Sequence, residues 1–429
     1  MFWVSYSLCG LVRRELALGA TLLFCAAAVL TAPAYAQTYT VLHNFTGGAD
    51  GYYPNAGLTL NGTSNLFGGA GDNAIFHLRQ SGTGWIFSPI YDFNGTDGDF
   101  LSGRLTFGPD GALYGASGAG GIPDCGDGAG CGLIFSLRPT QTICRTDSCP
   151  WSQTVLYQFN PLNLPNDGYG PTGGLVFDSA GNIYGTTAQG GRYSGGSAFM
   201  LAPSQGRWNE TNLYDFRQGA NGTAPNGNLV VDRSGNVIGT TSYGGANDCF
   251  GVGCGIVFEL THNSGGWTET ILHTFTDGAD GARPLGGLIS DAAGNLYGTA
   301  TMGGVNGGGT VYELTPSNGG YGFQVLYSFS GNNQGGGPGG ILAFDSVGNL
   351  YGSTGVGGIF HQGTIFKLTP GGGSWTLTDL HDFTGGLGGS APSDGPVLDP
   401  SGNLYGTATF GGTGGNCPGG CGVVWQITP

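Results

Sequence analysis

Apolar residues along this chain fall in short runs separated by Gly, Asn and Asp, and the runs return in the same order again and again. Within one such run an apolar residue, an aromatic, any residue and then Leu or Ile follow one another, as in Val257-Phe258-Glu259-Leu260 and Ile365-Phe366-Lys367-Leu368. Short apolar runs bounded by turn residues predict strands. The most regular phrase is Gly-Asn-Leu-Tyr-Gly or a near copy. Its aromatic position falls at Phe67, Tyr114, Tyr184, Tyr297, Tyr351 and Tyr405, with Ile238 in the fourth copy. The copies lie about 54 residues apart, with a stretched second copy. A repeat of that length, built from short strands and Gly turns, reads as one four-stranded sheet per copy. The fold class expected is all-β, a seven-bladed β-propeller of four-stranded blades.

Each copy resolves into strands a to d. Strand a is a Gly-Gly-Leu run such as Gly173-Gly174-Leu175-Val176-Phe177, closed by the turn Asp178-Ser179-Ala180-Gly181-Asn182. The same Asp-x-x-Gly-Asn turn begins at Asp232, Asp291, Asp345 and Asp399. Asp and Asn close such turns with their own side chains. Strand b is the Asn-Leu-Tyr-Gly phrase. Strand c carries an aromatic seat, filled by Phe76, Phe135, Phe199, Phe258, Tyr312, Phe366 and Trp425. Strand d reads Leu, His or Tyr, any residue, then Phe, with the Phe at positions 45, 93, 159, 216, 275, 329 and 383. Apolar groups on both faces of a strand predict a sheet covered on both sides. Residues 38–45 form a d strand with nothing before it, and residues 421–429 a c strand with nothing after it. Pairing these two ends is expected to close the ring and to hide the sheet edges.

Residues 1–36 carry Arg13 and Arg14, then an apolar run from Leu16 to Ala32 and an Ala34-Tyr35-Ala36 cleavage site. They are expected to be an export signal, with residues 37–429 as the propeller. A membrane anchor and a twin-arginine signal are the weaker readings of the same segment. Removing Arg13, Arg14 and Glu15 from 12 basic and 27 acidic residues leaves 10 and 26. So acidic a surface, with no basic stripe, argues against nucleic acid. No second apolar run is long enough to span a bilayer, and a monomer is expected.

Here a resemblance enters. The segments Gly-Asn-Leu-Tyr-Gly-Thr-Thr, Gly-Thr-Val-Tyr-Glu-Leu-Thr-Pro and Ile-Leu-His-Thr-Phe-Thr-Asp-Gly-Ala-Asp-Gly resemble the GloVer tandem repeat family of bacterial exported proteins. The resemblance covers essentially all of residues 37–429 and implies a secreted, extracytoplasmic life; it brings no established activity. Family members with a C-terminal sorting tail carry a hydrophobic segment and basic residues there, and this sequence ends in strand c. The Asp-x-x-Gly-Asn-Leu-Tyr run is also similar, more weakly, to NHL-type and streptogramin-lyase-like propellers.

Candidate chemistry is sparse. Eight Cys follow residue 36 in close pairs: Cys125/Cys131, Cys144/Cys149, Cys249/Cys254 and Cys417/Cys421. Three of the pairs fall between strands b and c, in blades two, four and seven. Export and the recurring position favour local disulfides over zinc ligation, which needs four converging ligands. His43, His273 and His381 share the strand d seat that Tyr91, Tyr157, Tyr214 and Tyr327 fill elsewhere, so a structural aromatic role is expected for them. Loops from strand d to the next strand a carry Asp50, Asp97, Asp167 and Asp280, with Asn221 in the seat once. They share a face with the Cys loops, which add Asp124 and Asp248. Asp-Gly is a common turn, and ringed carboxylates could also hold Ca²⁺. Tyr52, Tyr53, Tyr169 and Tyr243 lie nearby and suit stacking on sugars or peptides. Strand a should line the central channel, where Arg104 is its one basic residue. No Ser-His-Asp spacing, phosphate loop or His-Glu pair is recognisable. The function expected is a binding module for an extracellular glycan or protein through Asp50, Tyr53, Asp97, Asp167, Tyr169, Tyr243 and Asp280. The alternatives are a polysaccharide lyase or hydrolase-like enzyme and a purely structural envelope component.

Overall fold

The structure is a computed structural model that describes residues 37–429 except 72, 124, 126–127, 141–150, 165, 246–248 and 250. The expected signal segment, Cys144, Cys149, Asp124 and Asp248 lie outside the described residues. The described residues form seven antiparallel sheets, each ordered a-b-c-d from one edge to the other. Blade III shows the unit: Gly168–Phe177, Ile183–Gly190, Ser194–Ser204 and Arg207–Arg217. In blade VI strand a is broken into Gly336–Pro338 and Ala343–Phe344, both paired with Leu350–Val356. Blade VII closes the ring as the sequence pattern predicts: Thr38–Asn44 pairs antiparallel with Val423–Thr428, Tyr39 opposite Ile427. No helix of the described residues is long and apolar enough to cross a membrane.

The repeated phrase has a packing cause. The seat ring of strand c lies against the last Gly of Gly-Asn-Leu-Tyr-Gly on strand b in all seven blades. A Cβ on Gly68, Gly115, Gly185, Gly239, Gly298, Gly352 or Gly406 would fall under 3.0 Å from that ring. The seats themselves are fully buried. The Tyr of the same phrase is anchored by the Asp turn. Asp178 accepts from the Ala180 and Asn182 amides (both 2.9 Å), from the Asn182 side chain (2.8 Å) and from the Tyr184 hydroxyl (3.1 Å). Asp345 makes the same bonds; burial opposes its charge, and hydrogen bonds from Asn349, Val347 and Tyr351 still leave its carboxyl below the ordinary value.

Blades join through strand d, and the joint accounts for His or Tyr at six of the seven seats, where the seat meets the residue four places before the seat of the next blade. At the seventh, Tyr327, that residue is Leu377 and the hydroxyl reaches Gln334 of its own loop (3.1 Å). His43 stacks on Phe87 (3.9 Å between centroids), His273 on Phe323 (3.6 Å) and His381 on Tyr39 (3.8 Å). Where the neighbour is polar the seat is Tyr: Tyr91 reaches Gln153 (3.2 Å), Tyr214 donates to Glu269 (2.8 Å), and Tyr157 shares a crevice with Glu210. A flat imidazole stacks on an aromatic ring, whereas a phenol carries its donor out to a polar acceptor.

At the centre, glycine backbones of successive strands a crowd together, Gly103 on Gly173, Gly173 on Gly227 and Gly340 on Gly395. Arg104 of blade II crosses in front of blade I to pair with Asp394 of blade VII, and both side chains are largely buried. Asp394 also accepts from the Ile341 and Gly395 amides (both 2.8 Å), so the pair ties together blades II, VI and VII.

Candidate binding face

The loops from d to a and from b to c share one face of the ring. Three of the expected disulfides stand there, Cys125–Cys131, Cys249–Cys254 and Cys417–Cys421, with Cα separations of 5.0, 5.0 and 5.1 Å. Each is tied to the loop entering the next blade. The carbonyls of Cys131, Cys254 and Cys421 accept from the amides of Gly170 (3.0 Å), Arg283 (2.8 Å) and Tyr53 (2.8 Å). Those three residues have φ of +62°, +55° and +46°, and each precedes a Pro. Pro fixes its own φ and restricts the residue before it, so the junction is stiff. The disulfide loops therefore brace the joints between blades as well as their own backbones.

The four aspartates of the d–a loops are latches onto the strand d seats. Asp50 accepts from the Thr46 amide (2.9 Å) and lies 3.2 Å from His43 Nε2; Asp280 repeats this with Thr276 (3.1 Å) and His273 (3.0 Å). Burial raises both carboxyls, and the latch bonds outweigh it, so both stay below their ordinary value. Asp97 accepts from the Asn94 amide (2.8 Å) and the Tyr91 hydroxyl (2.6 Å). Asp167 accepts from the Asn160 amide (2.7 Å) and the Tyr157 hydroxyl (3.0 Å); it is buried, and that burial pushes its carboxyl up. These carboxylates sit on different blades. Among the described residues no three His, Cys, Asp or Glu side chains come together as a metal ion would require.

The tyrosines are spread round the same face. Tyr53 donates to the Pro418 carbonyl (3.0 Å) and lies edge-on to Phe410 (5.2 Å). Tyr243 has the Arg283 guanidinium 4.9 Å over its ring. Tyr169 lines a crevice of about 290 Å³ between blades II and III, with Phe100, Pro171, Gln189 and Cys125. A crevice of similar size, about 290 Å³, opens on the opposite face among the Asp232 and Asp291 turns and Tyr321.

Two features of the face escaped the sequence reading. First, the b–c loops of blades III, V and VI, which carry no disulfide, end in a common tight turn. The fourth residue's amide donates to the first residue's carbonyl in Gly191–Ser194 (3.2 Å), Gly304–Gly307 (3.0 Å) and Gly358–His361 (3.1 Å). The fourth residue has φ of +58°, +78° and +57°. The two central residues stand out from the ring: Arg192-Tyr193 in blade III, Val305-Asn306 in blade V, Ile359-Phe360 in blade VI. Second, exposed apolar side chains concentrate here. Of the 15 large hydrophobics exposed among the described residues, 12 lie on the d–a and b–c loops or, for Val356, at the end of the strand that leads into one, including Val305 (73%), Leu387 (69%) and Ile359 (62%). Only Val155, Ile271 and Val347 lie elsewhere. The exposure pattern could not be read from the sequence, but the paired residues after Gly-Gly in three b–c loops were visible there.

No curated protein sequence matches the chain. Among solved structures, the chain resembles the extracellular domain of a candidate hybrid two-component system from B. thetaiotaomicron, with 13% identity and a TM-score of 0.54; the match covers 92% of this chain and 42% of that one. It also resembles an aldose sugar dehydrogenase from Streptomyces coelicolor (11% identity, 91% of this chain and 98% of that one, TM-score 0.44). A polysaccharide lyase, an ulvan lyase, gives 11% identity over 76% of this chain and 86% of that one, with a TM-score of 0.47. At 13% identity the likeness to the first of these is one of fold alone. At the level of sequence the model of the Gloeobacter/Verrucomicrobia repeat matches residues 126–338 and 250–429. With that repeat spanning most of the ring, the chain belongs to the Gloeobacter/Verrucomicrobia repeat family.

Proposed function

We propose that this protein is a binding module of an exported protein, working extracytoplasmically, and that its working surface is the face of the d–a and b–c loops. The ligand class that fits is an extracellular glycan or a protein. The observation that carries this reading is the gathering of 12 of 15 exposed large hydrophobics on that one face. Exposed apolar residues scattered singly need no explanation, whereas their segregation to one surface marks a contact surface. The braced disulfide loops and tight turns hold that surface in place before a ligand arrives, which lowers the ordering cost of binding. Oxidised Cys pairs and the signal-like residues 1–36 support an extracytoplasmic site.

The test is a thermal-shift screen of residues 37–429 against a polysaccharide panel, with and without Ca²⁺, since a ligand for the folded state raises Tm. Any hit is repeated with Val305→Ser/Ile359→Asn/Phe360→Ser and with Val347→Ser/Tyr321→Ser on the opposite face. Loss of the shift in the first variant alone supports the reading. Loss in the second alone places the ligand on the other face and overturns it.

A further inference from the structure

On the rim of blade III the working face carries a groove of about 310 Å³ lined by Asn166, Arg192, Tyr193, Asn212, Asp215 and Arg217, with Tyr214 beneath. We propose that this groove binds an anionic sugar unit, one bearing a carboxylate or a sulfate. The proposal rests on the binding-module reading and names the ligand chemistry of one part of its face.

Charge is the first argument. The chain has only 12 basic residues against 27 acidic ones, and two of the arginines converge here. Arg104 and Arg138 are spent on Asp394 and Asp110. Neither Arg192 nor Arg217 has a carboxylate partner among the described ion pairs. Their guanidinium carbons lie 5.6 and 4.6 Å from the centroid of the same Tyr193 ring, and Arg217 Nη2 donates to the Tyr193 hydroxyl (3.1 Å). Two exposed cations held against one ring repel each other, and an anion between them relieves that repulsion.

The carboxylates that bear on the pair do not fill that role. Glu269, on which the Arg217 charge acts, accepts from the Tyr214 hydroxyl (2.8 Å) and the Asn221 side chain (2.7 Å). Asp215 lines the groove, but its Oδ1 accepts from the Arg192 amide (3.1 Å) and the Asn212 side chain (2.9 Å), which uses it to hold the turn. Glu210 and Asp167 line the adjoining crevice; burial, then the charges of Asp167 and Asp215, push Glu210 up to about 7 and weaken its negative charge near neutrality.

Geometry is the second argument. Arg192 and Tyr193 occupy the two central positions of the Gly191–Ser194 turn, closed by its 3.2 Å hydrogen bond. Tyr193 positions Arg217 by ring contact and hydroxyl. A guanidinium presents paired donors suited to the two oxygens of a carboxylate or to sulfate. Asn166, Asn212 and the Tyr193 edge supply neutral groups of the kind that bond sugar hydroxyls.

The test is isothermal titration of residues 37–429 with polygalacturonate, dextran sulfate and neutral dextran at two salt concentrations, on the wild type and on Arg192→Gln/Arg217→Gln. Both arginines are exposed, so the variant should keep its Tm. The expected result is salt-sensitive binding of polygalacturonate or dextran sulfate, none of neutral dextran, and at least a tenfold loss in the variant. The charged polymer that binds tells carboxylate from sulfate. Anionic binding that the double variant leaves intact would overturn the proposal. So would binding of neutral dextran alone, although the binding-module reading would then stand. If neither these polymers nor the wider panel binds, both readings fail.

Discussion

The turns at the tips of blades III and VI have one backbone and opposite chemistry. Gly191–Ser194 and Gly358–His361 close with hydrogen bonds of 3.2 and 3.1 Å, and their last residues take φ of +58° and +57°. In each an aspartate from the end of strand d holds the first central amide, Asp215 on Arg192 (3.1 Å) and Asp382 on Ile359 (2.8 Å). Yet one turn shows Arg and Tyr while the other shows Ile and Phe. The lesson is that the scaffold and the displayed chemistry are set by different residues. Glycines, the aspartate floor and the seat ring fix where the tip stands; the two central residues make no demand on the fold. A repeat built this way can vary its surface without disturbing its core.

If that separation is real, the scaffold under both tips should be equally intolerant. Gly185→Ala in blade III and Gly352→Ala in blade VI both drive a methyl into a buried seat ring, Phe199 and Phe366. Each should cost roughly 3 kcal/mol by overpacking, read from chemical denaturation. A large loss in one blade and none in the other would break the equivalence. The floor should matter less. Asp215→Ala and Asp382→Ala each leave a turn amide without its acceptor and should cost about 1–2 kcal/mol. Hydrogen exchange at Arg192 or Ile359 should rise with it.

The floors also differ in one residue, which sharpens the comparison. Blade III places Asn212 beside Asp215, and blade VI places Asp379 beside Asp382. Burial, then the charge of Asp382, pushes Asp379 up to about 6. A carboxyl raised in the folded state stabilises fully below its unfolded value near 3.8, and that contribution is lost as pH rises through about 6. Asp379→Asn copies the blade III floor. It should flatten the melting temperature between pH 4 and 6.5 and raise stability at pH 7.5 by up to about 1 kcal/mol, reduced by solvent screening. An unchanged pH profile would show that Asp379 ionises freely. The smallest effect on stability belongs to the tips themselves. Exchanging them, Arg192→Ile/Tyr193→Phe with Ile359→Arg/Phe360→Tyr, should leave stability within about 0.5 kcal/mol, as surface changes do.

Much of the scaffold was legible because it is local and repeated, the Asp turn five times and the Gly that meets the buried ring seven times. The end-to-end closure and three Cys pairs also announce themselves by position. What the sequence did not show depends on partners far apart in the chain. Arg104 was visible as the one base on strand a, but Asp394 lies 290 residues away in a loop. At six of the seven seats the choice between His and Tyr on strand d follows the residue four places before the next seat, a signal present in the sequence at Phe87, Gln153, Glu210, Glu269, Phe323 and Tyr39; Tyr327, opposite Leu377, does not follow it. Asp50, Asp97, Asp167 and Asp280 carried two readings, turn and ligand-facing carboxylate, because turn and site share one signature; in the structure they take hydrogen bonds from the strand d seats. Arg192-Tyr193 occurs once, so repetition gave no reason to single it out.

The central claim, that the loops and not the Asp turns meet the ligand, is tested most directly by hydrogen exchange on residues 37–429 with and without polygalacturonate. The account predicts new protection at Gly191–Ser194 and the end of Arg207–Arg217, and none at residues 232–236 and 291–295. Protection confined to those two turns, around the crevice on the opposite face, would contradict it.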